Sequence, residues 1–433
     1  GNGGFQRIIK DAVYVDKTGI IGALNQWIDT SARYVCVSRA RRFGKTVAAR
    51  TIRAYYDNAC DSHELFAPYA IAQDQSYETH INKYDVIGID VQSFFLRGDN
   101  PKTFIDRMEL DVLAEVCAKW PDIAELKDMR LVNALIKVHE KTGARFVFVI
   151  DEWDAVFRFC PDDEALQKDW IHFLRDLFKQ EDMDGVIALA YITGILPVKK
   201  YKTQSSLNQF REYTMIRPLV LEPFVGFLPS EVDALCEKFG MNRAEAAEWY
   251  DGYMFSHEHH VYNPCSLAQA MTYGEYGSYW TQTDSFESLL DYINADLDGI
   301  YDDVMCLIGG GRVNVDTGSY DNSFTVPKNK NQCFTLLTHI GYLAFEACPS
   351  LTKIYCYAEN VPETDDFGWT HENMVILVPE QSLDAYKAAS PWNEYTIMAM
   401  EEDEDIVVNV GDNTIVDYEG YSLKFTVTSI EPA

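Results

Sequence analysis

Gly44-Lys45-Thr46 and Asp151-Glu152 are the residues of this sequence whose types and spacing best suit chemistry on phosphates. In a nucleotide site, a lysine and the backbone amides of a glycine-containing turn hold the phosphates, and an adjacent threonine hydroxyl coordinates Mg²⁺. A carboxylate pair completes such a site, because one acid holds the metal and the other polarises the attacking water. The two segments are therefore candidates for the two halves of one site.

The glycine-lysine-threonine segment must lie between a strand and a helix if its amides are to point at an anion. Residues 33–37 are rich in β-forming side chains and predict a short strand before the loop, and residues 47–56 predict a helix after it. The loop departs from the usual G-x-x-x-x-G-K-[ST] pattern, because Arg39 stands in place of the first glycine. The context predicts a phosphate-binding loop, although the pattern itself is incomplete.

The carboxylate pair follows a second predicted strand. Residues 146–150 are all apolar, as expected of a buried parallel strand, and they deliver Asp151 and Glu152 at its carboxyl end. This is the arrangement of a Walker B motif, in which Asp151 would hold Mg²⁺ and Glu152 would activate water. A buried strand followed by an acidic helix cap would produce the same pattern. We favour the nucleotide site because both motifs occur, and we expect them to end neighbouring strands.

Further strands complete the predicted sheet. Residues 186–194 are apolar and turn polar at Thr193, where ring-type ATPases place a side chain that senses the γ-phosphate. A threonine at a strand end is also a common turn residue, so both interpretations stay open. Residues 84–92 predict another strand. Helical stretches between these strands predict an open parallel sheet that is covered by helices on both faces.

Length and charge limit the classes of protein. A chain of 433 residues exceeds a single hydrophobic core, so we expect two or three domains. The formal charge of −30 argues against broad contact with nucleic acid, yet residues 1–60 carry ten Lys and Arg against four Asp and Glu. No apolar run approaches the roughly 18 residues of a membrane helix. Ten scattered cysteines without a C-x-x-C pair indicate reduced thiols and a cytoplasmic protein.

Several motifs share their order along the chain with one known family. They are YVDKT at 14–18, RARRFGKT at 39–46, VIDEWD at 149–154, ITGI at 192–195, EWYDGY at 248–253 and VYNPCS at 261–266. Together they resemble the bacterial AAA-ATPase-like family, whose loop typically reads R-P-R-R-F-G-K-S. The resemblance covers about residues 5–346 and accounts for Arg39, since the family tolerates arginine there. Ala40 stands where the family usually has proline.

The resemblance implies that the chain binds ATP and Mg²⁺. The residues implied for binding are Arg41, Arg42, Phe43, Gly44, Lys45, Thr46 and Asp151, with Thr46 and Asp151 as metal ligands and Glu152 and Thr193 as catalytic residues. For Arg41 and Arg42, pairing with surface carboxylates is an equal alternative. Asp16 and Lys17 either contact the adenine or fix the local chain.

We expect three regions: an AAA-ATPase-like P-loop domain at 1–222, a mostly helical, lid-like region at 223–346 and a small β-rich unit at 347–433. The family usually continues into a nuclease-like domain with clustered carboxylates and a lysine around a metal, and this pattern is not found after Glu346. Residues 347–400 instead resemble the last leucine-rich repeats and cap of bacterial surface repeat proteins. Alternating residues after 405 predict a small antiparallel unit.

These features predict an ATP-binding P-loop protein that hydrolyses Mg-ATP to ADP and phosphate and uses the energy for a conformational change. One alternative is a nucleotide-dependent protein-interaction module that does not hydrolyse ATP. Another is a surface scaffold with an inactive ATPase half. The C-terminal tail is a candidate surface for protein partners, and the oligomeric state is left open.

Overall fold

The computed structural model describes most of the first 345 residues and part of the remainder. The described residues are 1–96, 100–198, 207–256, 259–277, 279, 300–308, 312–317, 327, 329–341, 343, 353–356, 375–389, 392, 396–399, 413–418 and 421–426. The chain divides into two compact units, Gly1–Phe345 and Glu346–Ala433. A further division at residue 222 stays a prediction.

The first unit is built on a five-stranded parallel sheet. Its strands are β1 (Tyr34–Ser38), β2 (Asp85–Asp90), β3 (Phe146–Asp151), β4 (Ile187–Gly194) and β5 (Arg211–Tyr213). They lie in the order β2-β3-β4-β1-β5. β1, β3 and β4 are buried along their whole lengths, as expected of strands covered on both faces. The predicted class, a parallel α/β sheet flanked by helices, is confirmed.

Helices cover both faces of this sheet. They are α1 (Gly3–Ile8), α2 (Gly19–Asn25), α3 (Lys45–Tyr56), α4 (His63–Phe66), α5 (Tyr77–His80), α6 (Val91–Leu96), α7 (Phe104–Lys119), α8 (Leu131–Thr142), α9 (Ala155–Phe159) and α10 (Glu164–Phe178). Alternate residues of a strand point to opposite faces. Phe148 accordingly packs in the core formed with α7, α8 and α10, whereas Val149 packs in the core formed with α1, α2 and α3.

One expectation about the sheet is wrong. The strands that carry the two motifs, β1 and β3, are not neighbours, because β4 lies between them and pairs with both. In register, Thr193 of β4 is the partner of Val37 on one side and of Asp151 on the other. All three strands are parallel, so their carboxyl ends still meet at one edge of the sheet.

The rest of the first unit is mostly helical, as predicted. Its elements are α11 (Pro229–Phe239), α12 (Arg243–Tyr250), β6 (Asp251–Ser256), β7 (His259–Tyr262), α13 (Pro264–Tyr273), α14 (Ile300–Ile308) and α15 (Lys330–Ile340). The antiparallel pair β6–β7 was not predicted. A separate core holds Val232, Leu235, Tyr262, Leu267 and Ala270, so α11 and α13 pack around the hairpin rather than on the sheet.

The second unit has a mixed sheet of its own. Its elements are β8 (Lys353–Cys356), β9 (Val375–Val378), α16 (Leu383–Ala388), β10 (Thr396–Ala399), β11 (Asn413–Tyr418) and β12 (Tyr421–Thr426), with strand order β10-β9-β8-β12-β11. β8, β9 and β10 are parallel, and β11 and β12 form an antiparallel pair. Lys353 pairs with Val375 and Val375 with Thr396, so the chain returns to the sheet after about 20 residues.

Within the described parts of the chain, every helix is too short or too polar to cross a lipid bilayer.

Candidate functional site

The loop between β1 and α3 ends in a left-handed residue. Gly44 has a φ of 87°, and an added Cβ would meet nothing within 4 Å. Glycine is therefore needed at this position for its backbone conformation rather than for space. α3 begins at the next residue, Lys45, so the unpaired amides of its first turn lie at the loop. This is the local geometry that binds an anion at the N-terminus of a helix.

Arg39 stands where the usual loop pattern has its first glycine, and its side chain is directed into the protein interior. Its side chain is fully buried, and Nη1 donates to the carbonyl oxygens of Ser38 at 3.0 Å and Tyr213 at 2.7 Å. Its backbone N–H donates to the carbonyl of Gly194 at 3.1 Å. Burial lowers the pKa of the guanidinium to about 10. Arg39 thus ties the start of the loop to β4 and β5.

Lys45 is held on the loop itself. Its Nζ donates to the carbonyl oxygens of Arg39 and Ala40, each at 2.9 Å, and only 4 % of the residue is exposed. Burial lowers the pKa of this ammonium, and the nearby carboxylates, Glu152 foremost, act in the opposite direction. A phosphate oxygen could replace a loop carbonyl as the acceptor, because an anion binds an ammonium more strongly than a neutral carbonyl does.

Asp151 lies at the end of β3 with 7 % of its surface exposed. Burial raises the pKa of its carboxyl group to about 6, while a side-chain hydrogen bond from Thr46 lowers it. Its Oδ1 atom is buried and has no hydrogen-bond partner within the described part of the chain. Buried polar atoms are rarely left unpaired. A carboxylate oxygen and a threonine hydroxyl are ligands that Mg²⁺ prefers, so these two residues fit a magnesium ion.

Glu152 is held by a residue that the sequence analysis did not single out. Its carboxylate forms an ion pair with Nη2 of Arg158, on α9. Glu152 has a φ of 55°, an uncommon value for a residue other than glycine. The neighbouring Asp154 is fully buried and accepts hydrogen bonds from the amides of Ile195 at 3.0 Å and Leu196 at 3.1 Å. The acidic end of β3 is thus tied to the segment that follows β4.

Thr193 lies at the same sheet edge but is fully buried. Its hydroxyl donates to the carbonyl of Val37 at 2.9 Å, and the residue does not line the cavity described next. A role in sensing the γ-phosphate therefore stays a prediction.

A cavity of about 820 Å³ opens over the loop and the end of β3. This volume lies within the range of roughly 300–1,000 Å³ that is usual for small-molecule sites. Its charged lining residues are Asp11, Lys17, Arg41, Arg42, Lys45, Glu152 and Arg158. Cationic side chains outnumber the acidic ones, although the whole chain has a formal charge of −30. The cavity therefore suits an anionic ligand.

The predicted binding residues of the loop all line this cavity. Phe43, Gly44 and Thr46 join the charged residues named above. Arg42 has a φ of 68°, and its Nη1 lies 3.4 Å from the carbonyl oxygen of Tyr279 and 3.8 Å from Sγ of Cys265. The structure thus brings the loop and Glu152 together at the cavity, whereas Asp151 does not line the cavity but lies close enough to Thr46 for that side chain to lower the pKa of its carboxyl group.

Comparison with known proteins found a family model that matches part of the chain. Residues 1–203 match the AAA-ATPase-like family. The family model is described as a predicted AAA-ATPase, and the match supports a nucleotide-binding P-loop region. It ends at residue 203, so the resemblance of residues 204–346 rests on their motifs alone. No curated protein gives a significant match to this chain.

Solved structures show only a general likeness. The chain resembles the Aeropyrum pernix ORC1 protein in complex with DNA, with 12 % identity over 62 % of this chain and 64 % of that chain, and a TM-score of 0.32. It also resembles the A. pernix ORC2 protein in ADPNP–ADP complexes, with 10 % identity, 66 % and 76 % coverage, and a TM-score of 0.32. It resembles C. elegans PCH-2 with 12 % identity over 78 % of this chain and 71 % of that chain, and a TM-score of 0.28. The chain thus spans just under two thirds of the ORC1 protein.

In the AAA-ATPase-like region, contacts of Asp16 and Lys17 favour the structural interpretation. The carboxylate of Asp16 accepts from the amides of Thr18 at 2.8 Å and Ala70 at 2.7 Å. Nζ of Lys17 lies 2.6 Å from Oε2 of Glu231, so it ties the N-terminal segment to α11. Lys17 also lines the cavity, where burial lowers its pKa.

The apolar part of the cavity was not predicted from the sequence. We define this apolar lining as Val13, Val15, Phe224, Phe227, Pro264 and Ala268. Val15 and Pro264 fall within the family motifs YVDKT and VYNPCS, but nothing in their spacing pointed to a shared wall. Arg158 was not predicted either, and its only signal is a basic residue that follows Glu152 by six residues.

Proposed function

We propose that this protein binds Mg-ATP in the cavity and hydrolyses it to ADP and phosphate. The observation that carries the proposal is the proximity of Thr46 and Asp151, which are far apart in sequence, although the Thr46 side chain lies close enough to lower the pKa of the Asp151 carboxyl group. One oxygen of this carboxylate, Oδ1, is buried and has no hydrogen-bond partner among the described residues, and Nζ of Lys45 is held by the carbonyl oxygens of the adjacent loop. This arrangement suits a metal ion that bridges protein and phosphate.

Each residue then has a role that follows from its position. Lys45 would bind the β- and γ-phosphates, and the amides around Gly44 would bind their oxygens. Thr46 and Asp151 would hold Mg²⁺, which neutralises the charge of the phosphates. Glu152 would orient and deprotonate the attacking water. Arg41, Arg42 and Phe43 would line the phosphates, and Thr193 would sense the γ-phosphate from beneath the loop.

The apolar lining supports a nucleotide rather than a free polyphosphate. Aromatic and aliphatic side chains in a pocket contact a flat base with little desolvation cost. Three segments supply them: the N-terminal segment, the stretch before α11 and the start of α13. A nucleotide would therefore touch both the sheet and the helical region, and the loss of a phosphate would change how these parts are held. This is how hydrolysis would drive a conformational change.

Glu152→Gln tests the hydrolytic role. We expect ATP hydrolysis to fall by roughly 10²–10⁴-fold, the usual range for a lost general base, while the variant still binds ATP. Glu164→Gln is the matched control, because that glutamate is exposed on α10 and lies outside the cavity. Unchanged turnover in the Glu152→Gln variant would show that Glu152 is not the base. Binding without turnover in the wild type would favour the non-hydrolysing interaction module.

For the second unit we propose a leucine-rich-repeat-like surface for protein partners. The supporting observation is the set of parallel strands β8–β10, to which the chain returns after about 20 residues, close to the shortest leucine-rich repeats. Trp392 is buried against Tyr386 with ring centroids 4.7 Å apart. Trp392→Ala should speed hydrogen exchange in this unit and leave ATP turnover unchanged. A parallel loss of turnover would contradict separate roles for the two units.

We further propose a cytoplasmic location. The cysteines described by the structure are free thiols, which suits a reducing compartment.

A further inference from the structure

Arg158 lies where the cavity meets the acidic end of β3. Both Arg158 and Glu152 line the cavity, and their ion pair is largely shielded, with 16 % and 18 % of the side chains exposed. Arg158 Nη2 also lies 3.7 Å from Oδ1 of Asp154. The carboxylate proposed to activate water is therefore engaged by a guanidinium.

Arg158 retains capacity for another anion. Its Nε is buried and has no hydrogen-bond partner among the residues that the structure describes. Its charge lowers the pKa of Lys45, so the two cations lie within electrostatic range of each other. Arg158 and Lys45 line the same cavity, so Arg158 is a candidate partner for a phosphate that binds at Lys45.

We propose that Arg158 distinguishes a triphosphate from a diphosphate and that it controls the release of Glu152. This proposal rests on the proposed function. Without a γ-phosphate, Arg158 holds the carboxylate of Glu152. With a γ-phosphate in the cavity, Arg158 bonds to its oxygens, and Glu152 becomes free to accept the proton of a water molecule.

The chemistry of the two partners favours this exchange. A terminal phosphate carries more negative charge than one carboxylate, and its geometry suits the two-pronged contact of a guanidinium. A carboxylate that bonds to arginine also has fewer lone pairs left for water, so release from Arg158 leaves Glu152 able to accept a hydrogen bond from the attacking water. Binding of the triphosphate and activation of the base are thereby coupled.

Asp154 allows the exchange without displacing the helix. Its carboxylate is fixed by the amides of Ile195 and Leu196, and its Oδ1 lies close to Arg158. On this proposal Arg158 keeps Asp154 as a neighbour in both states, while Glu152 and the γ-phosphate alternate as its second partner.

The test is a double-mutant cycle on nucleotide affinity. ATP and ADP are titrated with Mg²⁺ into the full chain as wild type, Arg158→Gln, Glu152→Gln and the double variant. We expect Arg158→Gln to lower the preference for ATP over ADP about tenfold, the usual effect of losing one charged hydrogen bond, with ADP affinity unchanged. Glu152→Gln should raise the preference for ATP over ADP only when Arg158 is present, because the variant removes the carboxylate that competes with the γ-phosphate for Arg158.

Two further variants guard against loss of folding. Arg158→Lys keeps a positive charge beside Asp154, and we expect it to lose part of the preference for ATP even if Arg158→Gln does not fold. Arg175→Gln, on the exposed side of α10, is the control and should behave as wild type.

The possible results distinguish a failure of the role proposed for Arg158 from a failure of the proposed ATP binding. An ATP-to-ADP preference that is equal in wild type, Arg158→Gln and Arg158→Lys would overturn the role of Arg158 and leave its ion pair structural. If the wild type and the Arg158 variants still bind ATP and ADP, the proposed nucleotide site is unaffected by that result. Failure of the wild type to bind either nucleotide would instead overturn the proposed function.

Discussion

The charged and the apolar parts of the cavity are put together in different ways. The charged part lies at the ends of two buried strands, where Lys45 follows β1 and Glu152 follows β3. The apolar lining comes from segments far apart in the chain, such as Val15, Phe227 and Pro264. The first is positioned by the hydrogen bonds of a parallel sheet, whereas the second depends on how the helical region packs. We therefore expect the charged part to define the chemistry and the apolar part to define which nucleotide enters.

The largest expected effect belongs to the charged part and concerns stability. Burial raises the pKa of Asp151 from 3.8 to about 6, so its carboxyl group holds a proton more tightly in the folded chain than in the unfolded one. Its ionisation therefore costs stability: the folded state is favoured below about pH 4 and loses this contribution as the pH rises through 6. At pH 7, Asp151→Asn should raise the free energy of unfolding by about 3 kcal/mol.

Urea denaturation without Mg²⁺ or nucleotide measures this effect. At about pH 3, below the pKa of the unfolded side chain, the variant and the wild type should unfold alike, since the group is then neutral in both the folded and the unfolded chain. Asp169→Asn, at an exposed position of α10, is the control and should change little at either pH. A variant that is less stable than the wild type at pH 7 would show that Asp151 is a structural acid and not one held ready for a cation.

The apolar part can be tested by filling it. Ala268 lines the cavity from α13, and Ala268→Trp would occupy space that we assign to the base. We expect ATP and ADP to bind at least about tenfold more weakly, because the base loses its contacts. Calorimetric titration with each nucleotide measures the change.

Tripolyphosphate is the matched probe for this variant, since it carries the phosphates without a base. Its affinity should be the same in Ala268→Trp and in the wild type. Equal losses for tripolyphosphate and ATP would mean that the two parts of the cavity are not separate.

The smallest effect concerns the backbone of the loop. Gly44 and Gly143 both have left-handed φ values, 87° and 72°, and open space around an added Cβ. Gly44→Ala and Gly143→Ala should each cost about 1 kcal/mol of stability, from backbone strain alone. Only Gly44→Ala should also weaken ATP binding, because only Gly44 shapes the loop. Equal ATP affinities in the two variants would argue against the loop as the phosphate site.

The features predicted correctly from the sequence are those that depend on neighbouring residues, such as the positions of strands. Apolar runs placed β1, β3 and β4 to within about two residues, and predicted residues that follow β1 and β3, Lys45 and Glu152, line the charged part of the cavity. The sequence did not predict that β4 lies between β1 and β3. The order of strands in a sheet depends on which strands pair with each other, and the composition of a single strand does not indicate its partners. The sequence also did not predict the ion pair between Glu152 and Arg158, because a basic residue after an acid pair is common on any solvated helix.

The binding of labelled Mg-ATP to the wild type and to Lys45→Ala tests the nucleotide site most directly. We predict that the wild type binds and that the variant binds about ten- to a hundredfold more weakly, the loss expected for a charged hydrogen bond to phosphate. Lys168→Ala, at an exposed position of α10, should bind like the wild type. Equal affinities of the wild type and Lys45→Ala for Mg-ATP would contradict a nucleotide site at this loop.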